Sequence, residues 1–108
     1  MVNKKIDVLI QNKQLTELEG RAIDWILAVG FWHGEIGFSD ITFEDLANGI
    51  EVSINTAKGI IGSLSKKGYI WTDNSAGIHV IYATRKTYEL DDNYETKWKE
   101  QLDMNPFI

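Results

Sequence analysis

Five cations, Lys58, Lys66, Lys67, Arg85 and Lys86, fall within residues 53–90 of this 108-residue chain, against two acids, Asp73 and Glu89, for a net charge of +3 there. Residues 1–52 carry a net −5 and residues 91–108 a net −3, so the whole chain stands at −5. The chemistry open to such a section is the neutralisation of phosphate, which dominates affinity for a nucleic-acid backbone. A mixed, solvated surface is the plainer reading, and the acidic total favours it. The distribution of charge nevertheless says more than its sum. Covalent chemistry is poorly supplied. There is no cysteine, and the two histidines, His33 and His79, lack partners at metal-ligand spacing. His33 stands in a glycine-rich stretch two residues before Glu35, where a lone histidine is usually a surface or packing residue. Gly30, Gly34 and Gly37 lack the lysine and Ser/Thr of a phosphate loop. No catalytic residue, metal or cofactor is expected.

The basic section needs elements to present it, and residues 41–70, ITFEDLANGIEVSINTAKGIIGSLSKKGYI, supply them. Thr42 with Asp45 resembles a capping box with a shortened acid, and Ser53 can cap a second helix. Asn48-Gly49 tolerates a left-handed turn and is expected to end the first helix. Lys67-Gly68, a cation in the last turn followed by glycine, ends the second. Residues 69–72, 73–77 and 78–84 then read as strand, turn and strand. Helix, turn, helix and hairpin form the layout in which the second helix is presented to a DNA groove and the hairpin is a wing.

The chain thereby resembles the winged helix-turn-helix superfamily, and among its members the small multiple-antibiotic-resistance-type regulators of bacteria, archaea or their viruses. Ile41-Thr42, Asp45-Leu46-Ala47, Ser53, Thr56, Leu64 and Lys66-Lys67-Gly68-Tyr69-Ile70 carry the resemblance, which covers roughly residues 15–87. It implies an α+β fold, mostly helical, with a small antiparallel hairpin and a C-terminal helix. It also implies double-stranded DNA as partner and a role in transcriptional regulation. The expected organisation is one domain over 1–108: an N-terminal segment 1–14, a core 15–87, and a C-terminal helix and tail 88–108.

Within the second helix Ala57, Ile60, Ile61 and Leu64 recur at i, i+3, i+4 and i+7 and must face the core. Asn55, Gly59, Gly62 and Lys66 then occupy the opposite face, flanked by Thr56, Lys58 and Ser63. The expected contact set is Asn55 for adenine, Thr56 and Ser63 for phosphate, Lys58, Lys66, Lys67 and Arg85 for charge, and Gly59 as a point of close approach. Here the chain departs from the family. DNA readers usually carry arginine or another long polar residue where Gly59, Gly62 and Ser63 stand, and arginine is the commonest reader of guanine. The wing turn lacks arginine as well. Exposed helical glycines cost about 1 kcal/mol each against alanine. They are explained by drift, by close approach to a DNA backbone, or by a smooth strip for a protein partner. The last option makes a protein-interaction module, or an acidic accessory factor that does not read DNA, the alternative function.

Flanking elements complete the reading. Thr16 and Glu19 make another capping box, opening a helix over about 16–29 with Leu18, Ala22, Ile26 and Val29 as its stripe, Ile23 beside them. Trp25 lies off that stripe, facing the N-terminal segment, whose Ile6, Val8, Leu9 and Ile10 fit helix or strand. Residues 30–40 read as loop, with Ser39 to Thr42 adding a short third strand. A last helix over about 92–103 carries Tyr94, Trp98 and Leu102 on one face, either a homodimer seam or a face folded back on its own domain. Without cysteine, a membrane span or a signal-peptide pattern, a cytoplasmic location is expected.

Overall fold

The computed structural model describes residues 3–29, 41–74 and 79–104. The N-terminal segment resolves its ambiguity as a helix, α1 (Lys4–Gln11), because Asn3 caps it by accepting from the Ile6 N–H at 3.1 Å. The same Asn3 side chain donates to the Leu90 carbonyl at 2.7 Å, tying α1 to the far end of the chain. α2 (Glu17–Val29) opens on the expected box: the Glu19 N–H donates to Thr16 Oγ1 at 3.1 Å and the Thr16 N–H to Glu19 Oε1 at 2.8 Å. Its buried stripe is Ala22, Ile23, Ile26 and Leu27, whereas Val29 at its last position is exposed.

The helix-turn-helix follows a two-residue strand, β1 (Ile41–Thr42). α3 (Phe43–Gly49) begins with a reciprocal Thr42/Asp45 box, both bonds at 3.1 Å. Its end differs from expectation. Asn48 and Gly49 remain helical, and the left-handed residue is Glu51, at φ 58°. The Glu51 N–H reaches the Asn48 carbonyl and the Val52 N–H the Ala47 carbonyl, the paired bonds of a Schellman closure without a glycine. Gly49 serves packing instead: a Cβ there would stand 2.1 Å from Cε2 of Trp25. Trp25 therefore faces α3, where the sequence pointed it to the N-terminal segment.

α4 (Ile54–Lys66) starts at Ser53, whose hydroxyl accepts from the Thr56 N–H at 3.1 Å, and buries Ala57, Ile60, Ile61 and Leu64 as the periodicity requires. It ends in a second Schellman closure, here with Gly68 at φ 83° as expected. β2 (Ile70–Asp73) and β3 (Val80–Ala83) form the hairpin, and β1 pairs with β3, giving an antiparallel sheet in the order β1-β3-β2. The expected third strand is thus present at Ile41–Thr42. Most of the wing turn, and the 30–40 stretch with His33, lie outside the described residues.

After the short α5 (Arg85–Tyr88), the single C-terminal helix expected over 92–103 is two pieces, α6 (Tyr94–Lys97) and α7 (Lys99–Met104), broken at Trp98. At the break the indole is turned inward. Its Nε1–H donates to Asp91 at 2.8 Å, its ring packs on Tyr88 at 4.7 Å between centroids, and the residue is buried. Leu102 is fully buried and Tyr94 half-buried, so this face is covered by its own core, together with Ile6, Ile23, Leu64 and Ile81. Of the two readings of this face, the structure shows the one folded back on its own domain. Glu95 and Lys99 form the expected i,i+4 pair at 3.4 Å outside.

Candidate nucleic-acid interface

The candidate interface is α4, because one side of that helix is committed to the core and the other is open. Asn55, Thr56, Lys58, Gly59, Gly62 and Lys66 are all exposed. Thr56 Oγ1 accepts from Ser53 Oγ at 3.0 Å, so its hydroxyl hydrogen is left for another acceptor. Asn55, Lys58 and Lys66 have no side-chain partner among the described residues. A Cβ placed on Gly59 or on Gly62 would meet nothing within 4 Å. Neither glycine answers an internal packing need, and between them the α4 backbone lies bare to whatever approaches.

Three of the expected contact residues are engaged elsewhere. Ser63 Oγ makes a short hydrogen bond to Oε2 of Glu19, and Lys67 Nζ donates to Glu19 Oε1 at 2.7 Å and to the Gln14 carbonyl at 2.9 Å. Arg85 donates through Nη1 to the Tyr94 hydroxyl and to Asp103, both at 3.1 Å. The hydrogen bond to Asp103 is the main cause of an upward shift of the guanidinium from its ordinary value. Lys86, at the same end of the sheet, donates to the Lys67 carbonyl at 2.9 Å and lies over the Tyr69 ring. Of the five cations in the basic section, Lys58 and Lys66 project from α4 without such ties, so the effective positive charge is smaller than the sequence count.

Glu19 is the residue that sequence reasoning undervalued. Its Thr16 spacing identifies a cap, a local role, and nothing local points to Ser63 or Lys67. The residue is 3% exposed and its carboxylate pairs with Lys67. Burial pushes its pKa up, but the hydrogen bonds from Lys67, Ser63 and the Thr16 backbone outweigh this and hold it below the ordinary glutamate value. A second tie joins α2 to the helix-turn-helix: Arg21 donates to the Ile50 carbonyl at the end of α3, at 2.7 Å. On the wing, Trp71 is 48% exposed and stacks on its cross-strand neighbour Tyr82 at 4.2 Å. His79 is exposed, its ring 5.1 Å from that of Phe43. Among the described residues no three His, Asp or Glu side chains converge as metal ligands.

The arrangement has counterparts among solved structures. MepR, a transcription regulator of the Staphylococcus aureus multidrug efflux pump MepA, superposes with a TM-score of 0.61 at 19% identity over 87% of this chain. The S. aureus MepR–DNA complex gives 0.62 at 19% identity over 94% of this chain. The multiple antibiotic-resistance repressor (MarR) of Listeria monocytogenes gives 0.59 at 16% identity over 93%. The fold is the winged helix-turn-helix of these regulators. The chain spans 65% of that MepR chain and 63% of the Listeria repressor. No protein-family model and no curated protein matches the sequence. Among the described residues no helix is long and apolar enough to cross a membrane.

Proposed function

We propose that this chain is a DNA-binding winged-helix protein acting in transcriptional regulation, with α4 laid in the major groove. The observation that carries the reading is the open side of α4. Asn55 and Thr56 stand at its N-terminal end, where helix-turn-helix proteins contact base edges, with Lys58 and Lys66 to meet phosphate. The bare backbone at Gly59 and Gly62 allows a closer approach than long side chains would permit. Ser63, Lys67 and Arg85 are assigned to holding the fold. With few free cations on an acidic chain, non-specific affinity is modest and falls steeply with salt. A homodimer on a two-fold site is compatible with this reading only through surfaces other than the buried Trp98–Leu102 face.

The test is duplex binding at about 50 mM salt, where phosphate contacts are strongest. Lys58→Ala/Lys66→Ala is expected to weaken binding to all sequences alike and to reduce the log–log salt slope by about one per lost contact. Asn55→Ala is expected to lose about 1–3 kcal/mol on one preferred site only. A folded chain that binds no duplex under these conditions overturns the reading in favour of a protein partner on the Gly59/Gly62 strip.

A further inference from the structure

The core does not explain why a charged network sits at the root of α4. An apolar pair of similar volume is often as stable as a buried ion pair, or more so. What hydrogen bonds add is direction: each holds its two groups within a few tenths of an ångström and a limited angle. Glu19 uses both carboxylate oxygens this way. Oε1 accepts from Lys67 and from the Thr16 N–H of its own cap, and Oε2 accepts from Ser63. Lys67 continues the chain of bonds to the Gln14 carbonyl in the α1–α2 connection. The last turn of α4 is thereby fastened to the first turn of α2 at two points four residues apart.

We infer that Glu19 is a positioning residue that sets the angle at which α4 and the wing root are presented to DNA. The inference rests on the DNA-binding reading for its purpose, though not for its geometry. The N-terminal end of α4 is held by the tight turn from α3, and the stripe Ala57–Leu64 is buried in the core. The C-terminal end is held in direction by Glu19. From Asn55 to Lys67 the helix is a lever of about 18 Å at 1.5 Å per residue, so a tilt of about 10° displaces the far end by about 3 Å. That exceeds the tolerance of a hydrogen bond. Because β2 begins three residues after Lys67, the wing root moves with the lever. The end that moves carries Lys66 and leads into the wing, and Asn55 and Thr56 stay near the pivot, so the contacts disturbed are those to phosphate.

The deciding experiment compares wild type with Glu19→Ala, with the milder Glu19→Gln, which retains the cap acceptor, and with Ser63→Ala/Lys67→Met. Amide hydrogen exchange and duplex binding are followed at a temperature where every variant is folded. Glu19→Ala is expected to accelerate exchange about tenfold over residues 63–70, leaving α3 and the first turns of α4 unchanged. It is also expected to weaken preferred and random duplex alike, by about tenfold, because the displaced end carries the phosphate contact. The Ser63/Lys67 double variant should reproduce these effects and add nothing when combined with Glu19→Ala, as members of one network do. Uniform acceleration across the core means a stability role only and overturns the inference, as does unchanged exchange or unchanged duplex binding. A localised exchange change in a protein whose wild type binds no duplex leaves the helix-positioning role standing and defeats the DNA reading instead.

Discussion

α4 and the α6–α7 segment look alike as sequence. Each carries apolar residues at helical spacing, Ala57, Ile60, Ile61 and Leu64 in one and Tyr94, Trp98 and Leu102 in the other, and each has a polar opposite side. In the structure α4 is an unbroken thirteen-residue helix with one face open, whereas the C-terminal segment breaks at Trp98 and folds its apolar face into the core. The difference teaches that an apolar stripe announces burial without naming what does the burying. α4 is confined by elements on both sides of it in the chain. The C-terminal segment is pulled inward by one large side chain, which finds Tyr88 to pack on and Asp91 to receive its N–H.

Removing that side chain is the strongest way to break the comparison. Trp98→Ala is expected to cost about 3–5 kcal/mol, the usual range for a buried tryptophan. In urea melts this appears as lost stability, with the folded fraction keeping its wild-type mass in sedimentation. A drop from dimer to monomer at unchanged stability would restore the other reading of this face, a dimer seam. The matching cut in α4, Leu64→Ala, should cost about 2–5 kcal/mol, and a loss within experimental scatter would show that α4 does not rest on its Leu64 face.

The ties at the end of α4 give a smaller, pH-dependent effect. The folded-state pKa of Glu19 lies below its ordinary value, so its contribution is fully present above the ordinary carboxylate range and is lost as pH falls through the folded value. Glu19→Gln is expected to cost about 1–3 kcal/mol at neutral pH, as for hydrogen bonds to a charged group. The figure belongs toward the lower end because Lys67 is 36% exposed and partly screened. The gap between variant and wild type should close in acid; a gap independent of pH would show that the charge on Glu19 contributes nothing. On the open face the sign reverses. Gly59→Ala and Gly62→Ala meet no neighbour and should each raise stability by about 1 kcal/mol. Stabilised variants that bind duplex less tightly would place those glycines in the contact, and unchanged binding would assign them to drift.

Much of the fold was legible because its signals are local. The Thr16/Glu19 and Thr42/Asp45 boxes, the Ser53 cap and the Gly68 stop each depend on residues within five positions of one another. The misread stop shows the limit. Asn48-Gly49 has the composition of a left-handed turn, yet Gly49 is needed because Trp25, twenty-four positions earlier, occupies the space a Cβ would take. The strain of the turn falls on Glu51 instead. The contact set divides in the same way. Periodicity placed Asn55, Thr56, Lys58, Gly59 and Lys66 on an exposed face, but counted Ser63, Lys67 and Arg85 as available when each already had a carboxylate partner.

The sequence by itself determined α2, α3, α4 and the hairpin, most of their starts and stops, and which face of α4 is buried, because these follow from hydrogen bonds and periodicities spanning one or two turns of chain; α1, α5 and the break between α6 and α7 were not among them. Only the tertiary structure decided which polar groups remain free to act. Glu19 meets Ser63 and Lys67 across 44 and 48 residues, and no spacing rule encodes such a meeting. It arises when α2 and α4 bury their apolar faces against a common core, which brings a carboxylate out of water and leaves its charge to be met by whichever donors stand opposite.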